Sequence, residues 1–188
     1  MDLVLDPKTT ALVLIDLQRG IVSREVAPHT AAEVLDRSAK LAAKMRQSGG
    51  MAIYVRVLLS EVLSPPADVS FPRGNTAPPP EASDLVPEAG MLPGDVLVTK
   101  RQWGAFHGTD LEQQLRRRGI RTIILGGVAT NIGVESTARA AHDLGYELVF
   151  AEDAMSSMSA EAHEFPIRNI FPRMGRVRSV EQIMTALG

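Results

Sequence analysis

The sequence predicts an α/β fold: a Rossmann-like three-layer sandwich around a mostly parallel, six-stranded sheet. Three observations predict it. Short continuous apolar runs recur along the chain, helical periods separate them, and capping boxes mark where several helices open. A strand covered by helices on both faces needs apolar side chains on both, so it reads as an unbroken run rather than an alternation. Strand alternating with helix argues parallel neighbours and two helical layers. The length of 188 residues suits a single domain spanning residues 1–188.

The elements follow in order. Ala11-Leu12-Val13-Leu14-Ile15 is the first strand and stops at Asp16. Thr30-Ala31-Ala32-Glu33 is a capping box. Val34, Leu35, Leu41 and Met45 continue from it at helical spacing until Gly49 and Gly50. Met51 to Leu58 reads as the second strand. From about 59 to 94 the chain carries Pro65, Pro66, Pro72, Pro78, Pro79, Pro80, Pro87 and Pro93, which forbid a long helix and disfavour a central strand. This long loop is either a surface excursion, reaching a neighbouring subunit, or part of a pocket. Val96-Leu97-Val98 is the third strand, ending before Lys100. Thr109-Asp110-Leu111-Glu112 reads as a second capping box, for a helix that closes at Gly119.

Arg116 to Arg118 fall in the last turn of that helix, where positive charge complements the helix dipole. Thr122 to Leu125 is the fourth strand, and Gly126-Gly127-Val128-Ala129-Thr130 turns from it into a helix reaching about Leu144. Tyr146 to Phe150 is the fifth strand, ending before Asp153. A helix is expected from Ser159 to about Arg168 and a sixth strand over Gly175 to Arg178. Ser179-Val180-Glu181-Gln182 opens the last helix.

Composition narrows the chemistry. Lys plus Arg number 20 against 22 Asp plus Glu, a net charge of −2 that gives no field to hold nucleic acid or an anionic membrane. Cysteine is absent, which excludes disulfides, thiolate metal sites, iron–sulfur clusters and a cysteine nucleophile, and fits a reducing, cytoplasmic setting. No signal-peptide pattern and no run of about 20 apolar residues is present. The four histidines are scattered with no metal-binding spacing, so no metal is expected. Neither a dinucleotide fingerprint nor a P-loop occurs, and no cofactor is expected.

Open parallel sheets place ligands beyond the carboxyl ends of their strands. Asp16, Lys100 and the turn from Gly126 to Asn131 all fall there. Asp16 and Lys100 form either a proton-handling pair or a structural ion pair. The turn offers close backbone approach and a helix N-terminus, or simply a tight connection. Trp103 and Phe106 line a pocket wall or pack beneath the long loop.

Leu14-Ile15-Asp16-Leu17-Gln18, Lys100-Arg101-Gln102-Trp103-Gly104-Ala105-Phe106 and Gly127-Val128-Ala129-Thr130-Asn131-Ile132-Gly133-Val134-Glu135-Ser136-Thr137-Ala138-Arg139 together carry a resemblance. Over Thr10 to Leu187 the chain resembles the isochorismatase-like hydrolase family, also called the cysteine hydrolase family. Within it, the likeness is to a bacterial subgroup in which the nucleophilic Cys is replaced by Gly. The resemblance implies a catalytic Asp at Asp16, a catalytic Lys at Lys100, and a non-proline cis peptide at Val128–Ala129 whose backbone helps to form an oxyanion site. Gln18, Thr130 and Asn131 fall within these motifs and are expected at the pocket with Trp103 and Phe106.

The family's nucleophilic Cys falls at Gly133, which has no side chain. Ser136 lies three residues on, roughly on the same helical face. Tyr54 to Ser60 lacks the histidine of the nicotinamidase metal segment.

The expected function is therefore small-molecule hydrolysis without a Cys nucleophile, with Asp16 moving the proton and Lys100 orienting. The alternatives are an isochorismatase proper, which hydrolyses a vinyl ether and releases pyruvate, and a ligand-binding protein that kept the fold without catalysis. The expected partners are a small-molecule substrate and further copies of the chain, as homo-oligomers are common in the family.

Overall fold

The computed structural model describes residues 3–69 and 77–188. Strands β1 (Thr10–Ile15), β2 (Met51–Val57), β3 (Val96–Lys100), β4 (Thr122–Val128), β5 (Glu147–Ser156) and β6 (Gly175–Arg178) form one six-stranded sheet. Their order is β3-β2-β1-β4-β5-β6, and every neighbouring pair is parallel. The order reverses between β1 and β4, so a crevice opens beyond their carboxyl ends.

The helices are α1 (Arg19–Val22), α2 (Ala31–Gln47), α3 (Leu111–Arg116), α4 (Glu135–Asp143), α5 (Ala160–Phe165), α6 (Phe171–Met174) and α7 (Val180–Ala186). β1 shows why the layers form. Leu12 and Leu14 pack with Val34, Leu41 and Met45 of α2 and Ile183 of α7. Ala11, Val13 and Ile15 turn the other way, into a cluster with Leu111 and Leu115 of α3 and Ala138 and Ala141 of α4. Pleating sends successive side chains to opposite faces, so an unbroken apolar run feeds two cores. Both the Thr30 and the Ser179 capping boxes are formed.

The structure differs from the sequence reading at several places: β3 runs on to include Lys100, β4 reaches Val128, and α1 was not expected. The Thr109–Glu112 capping box does not form: the Thr109 hydroxyl donates to Ala105 O and accepts from Leu111 N–H at 3.2 Å, while Asp110, at the N-cap of α3, makes no side-chain cap. β5 runs past Asp153 to Ser156. The pairing of β4 with β5 shifts register between Leu125 and Gly127, so residues 151–154 bulge before Met155 and Ser156 rejoin the ladder. The helix expected from Ser159 breaks at Pro166 into a π-turn, Pro166–Ile170, followed by α6. A second π-turn, Thr130–Val134, stands between β4 and α4. The loop expected over 59–94 contains only short 3-10 turns, at Leu59–Glu61, Pro80–Ser83 and Pro87–Ala89. Residues 70–76 of it, including Pro72, lie outside the described residues.

Candidate active site

Asp16 follows the last residue of β1. Its backbone N–H donates to Val55 O at 2.8 Å, and its φ of 54° turns the chain sharply out of the sheet. A non-glycine residue in this left-handed region is uncommon. The turn swings the carboxylate into the crevice, 5% exposed. Lys100 ends β3, two strands away, and is 2% exposed. Its Nζ donates to Asp16 Oδ2 at 2.8 Å and to Gln102 O at 3.1 Å. Asp16 Oδ1 is buried and accepts no hydrogen bond from the described residues. Burial raises the Asp16 carboxyl to about 6, and the Lys100 ammonium restrains that rise.

A cavity of about 390 Å³ opens over this pair. Asp16, Lys100, Trp103, Val128, Ala129 and Gly133 all line it. The structure thus brings the ends of β1, β3 and β4 to one crevice. Gly133 sits at the centre: a Cβ built on it would lie 3.2 Å from Asp16 Oδ2, 3.6 Å from Lys100 Nζ and 2.9 Å from Ile15 Cγ2. The Val128–Ala129 peptide is cis. Gly127 is obligatory beside it. Its φ is +116°, and an added Cβ would stand 2.1 Å from Ile15 O.

Four expected pocket residues do not line the cavity. Gln18 is fully buried because its amide is consumed in the fold. Nε2 donates to Val57 O and Ala82 O, and Oε1 accepts from Val57 N, tying β2 to the 80–83 turn. Phe106 packs on Tyr146, with ring centroids 5.9 Å apart. Thr130 is buried behind the wall, its hydroxyl 2.8 Å from His163 Nδ1. Asn131 Oδ1 accepts from the Ser157 hydroxyl. Ser136 packs against Gly104 and is also outside the lining. Among the described lining residues there is no hydroxyl, thiol or imidazole side chain.

One cluster escaped the sequence reading, which saw the histidines as scattered. His29, Glu152 and His163 bring one ligand atom each within 4.8 Å of one another. Glu152 sits in the β5 bulge, His29 just ahead of α2 and His163 in α5, so no local spacing announces the group.

An isochorismatase domain model matches residues 10–182. The chain belongs to the isochorismatase family. It is 55% identical over 190 residues to the uncharacterised isochorismatase family protein YecD of Escherichia coli O157:H7, covering 98% of this chain and all of that one (100%). It is 47% identical over 183 residues to a second uncharacterised family protein, YwoC of Bacillus subtilis, covering 96% and 95% of the two chains. A solved isochorismatase family protein from Burkholderia thailandensis superposes with a TM-score of 0.92 at 43% identity, covering 100% of this chain and 99% of that one. The chain itself has no cysteine. Among the described residues, no helix is long and apolar enough to cross a membrane.

Proposed function

We propose that this protein hydrolyses a small molecule by direct attack of water, with no acyl group passing through the enzyme. The observation that carries the reading is Gly133. A side chain there would stand against both Asp16 and Lys100, and glycine offers none. Asp16 Oδ1, without a donor among the described residues, is the acceptor for the proton of an attacking water. The oxygen of that water bonds to the electrophilic carbon as the bond to the leaving group breaks. The proton passes from water to Asp16 and on to the leaving group. Lys100 stays an ammonium throughout. It holds Asp16 Oδ2 and orients the carboxylate, while the backbone at Val128 and Ala129 faces the developing oxyanion. Trp103 supplies an apolar wall for the substrate.

A specific observation supports a second reading. A carboxyl raised to about 6 is also suited to donate a proton, as vinyl-ether hydrolysis by an isochorismatase requires. The pH–rate profile on a substrate found among amides, esters and vinyl ethers separates the two. Water activation needs ionised Asp16, so kcat/KM rises through an inflection near 6. Proton donation needs the acid form, so the rate falls through the same point. No turnover of any class, with retained binding of a small carboxylate, would point to a ligand-binding protein instead. We place the protein in the cytoplasm, on the absence of cysteine, and as a homo-oligomer, on the habit of the family.

A further inference from the structure

The His29–Glu152–His163 cluster has the composition of a metal site, but its hydrogen bonds oppose one. Arg37 Nη1 lies 3.1 Å from His29 Nδ1 and 2.9 Å from Asp153 O. A guanidinium only donates, so His29 Nδ1 must present its lone pair. The proton of a neutral His29 is then on Nε2, the atom a metal would need bare. That Nε2 lies 3.3 Å from Glu152 Oε1 and donates to it.

The same reasoning sets the state of His163. This ring is 1% exposed, with Nδ1 2.8 Å from the Thr130 hydroxyl and Nε2 3.5 Å from Glu152 Oε1. Nε2 has no well-aligned hydrogen bond. The contact with His163 is the foremost cause holding Glu152 below the usual carboxylate range, against burial and with help from His29, so Glu152 is ionised. A proton on His163 Nδ1 would leave a bare Nε2 lone pair facing that carboxylate inside the protein. A proton on Nε2 faces the negative charge and leaves Nδ1 free to accept from Thr130. The second tautomer is the favoured one.

We propose that His163 is a positioning residue for the active-site wall: Glu152 selects its Nε2–H tautomer, and its Nδ1 accepts the Thr130 hydroxyl proton and pins the 130–134 π-turn. The polarity is directional: the Thr130 hydroxyl bonds His163 Nδ1, and His163 Nε2–H faces the Glu152 carboxylate at 3.5 Å, with His29 Nε2 at 3.3 Å from the same oxygen. Hydroxyl, imidazole and carboxylate in series look like nucleophilic machinery. Thr130, however, is fully buried and does not line the cavity, so its hydroxyl holds rather than attacks. Its neighbours Ala129, Ile132 and Gly133 do line the cavity, and a shift of the turn moves all three. The proposal rests on the reading of that cavity as the active site in its kinetic arm alone.

The test has two arms. Long-range proton–nitrogen correlation spectra of the 15N-labelled full chain read the histidine tautomers directly, with the four histidines assigned by single His→Gln variants. The expected result is the Nε2–H form at both His29 and His163, with His163 shifting to Nδ1–H in Glu152→Leu. An Nδ1–H or imidazolium His163 in the parent protein at neutral pH overturns the proposal. So does stoichiometric Co2+ binding that is lost in His29 and His163 variants. In the kinetic arm, His163→Leu and Thr130→Val each lower kcat about tenfold or more, and the double variant is no worse than either. His163→Asn, which keeps an acceptor near the position of Nδ1, and Thr130→Ser both restore the rate. Unchanged kcat in folded His163→Leu overturns the positioning role. Full activity in folded Asp16→Asn would instead mark failure of the active-site reading, leaving the tautomer result to stand or fall by itself.

Discussion

Asp16 is useful because it is both buried and paired. Burial raises the carboxyl and Lys100 restrains the rise to about 6, where it can both take and give a proton. Asp16→Asn therefore keeps the shape of the strand end and removes the proton step. The expected loss in kcat is about 10²–10⁴-fold with the circular-dichroism spectrum unchanged. Lys100→Met removes the cation that lowers the Asp16 pKa, so the inflection of the pH–rate profile moves upward from about 6. A profile that stays in place would show that Lys100 does not govern this carboxyl. The shift also acts on stability. The folded state keeps the Asp16 proton to higher pH than the unfolded chain, so the stabilisation from this proton is full below the ordinary carboxyl value of 3.8. It is lost as pH rises from there through about 6.

Gly133 gives a second prediction at this scale. In Gly133→Ala the new methyl must displace Ile15 Cγ2 at 2.9 Å, an overpacking cost of about 1–3 kcal/mol in urea denaturation. The methyl also occupies the approach of water to Asp16, so activity falls far more than stability does.

At the scale of elements, β1 and β4 matter most, because their carboxyl ends make the crevice. Gly127 lets them meet. Gly127→Ala meets both a φ of +116° and Ile15 O at 2.1 Å, and it cannot be accommodated without parting the two strands. We expect destabilisation of at least about 3 kcal/mol, read as a lower urea midpoint, against a few tenths for the exposed Gly145→Ala turn control beyond its own φ penalty.

The strand ends were legible because an apolar run that stops at a charged residue is a local signal, as at Ile15-Asp16 and Thr99-Lys100. The cis turn and the Asp16–Lys100 pair were legible through family motifs rather than through periodicity. The β5 bulge was not, because Ala151 to Ala154 looks like the end of a strand and only pairing with β4 shows that it resumes. Gln18, Phe106, Thr130 and Asn131 are near the cavity in sequence, yet their side chains turn toward fold contacts. A motif fixes position along the chain, whereas the direction of a side chain is set by its partners. The grouping of His29, Glu152 and His163 depends on topology alone.

At the scale of the whole molecule, the sheet order leaves β3 and β6 as edges, and Leu92 and Leu97 near the β3 edge are exposed. If copies associate, the native mass is a multiple of 20.3 kDa across micromolar concentrations, as measured by light scattering. A monomer throughout would contradict the homo-oligomer. The absence of cysteine makes a further global statement. Thiol-alkylating reagents leave activity untouched, since the chain has no thiol to modify.

Direct attack by water is the claim on which the functional account turns. Rapid-quench intact-mass spectrometry of the enzyme during turnover of a substrate found by screening tests it most directly. The account predicts that the protein mass stays that of the free chain at every time point, with product formed linearly from the first turnover. A burst of leaving group matched by a stoichiometric covalent adduct on Asp16, Ser136 or any other side chain would contradict it.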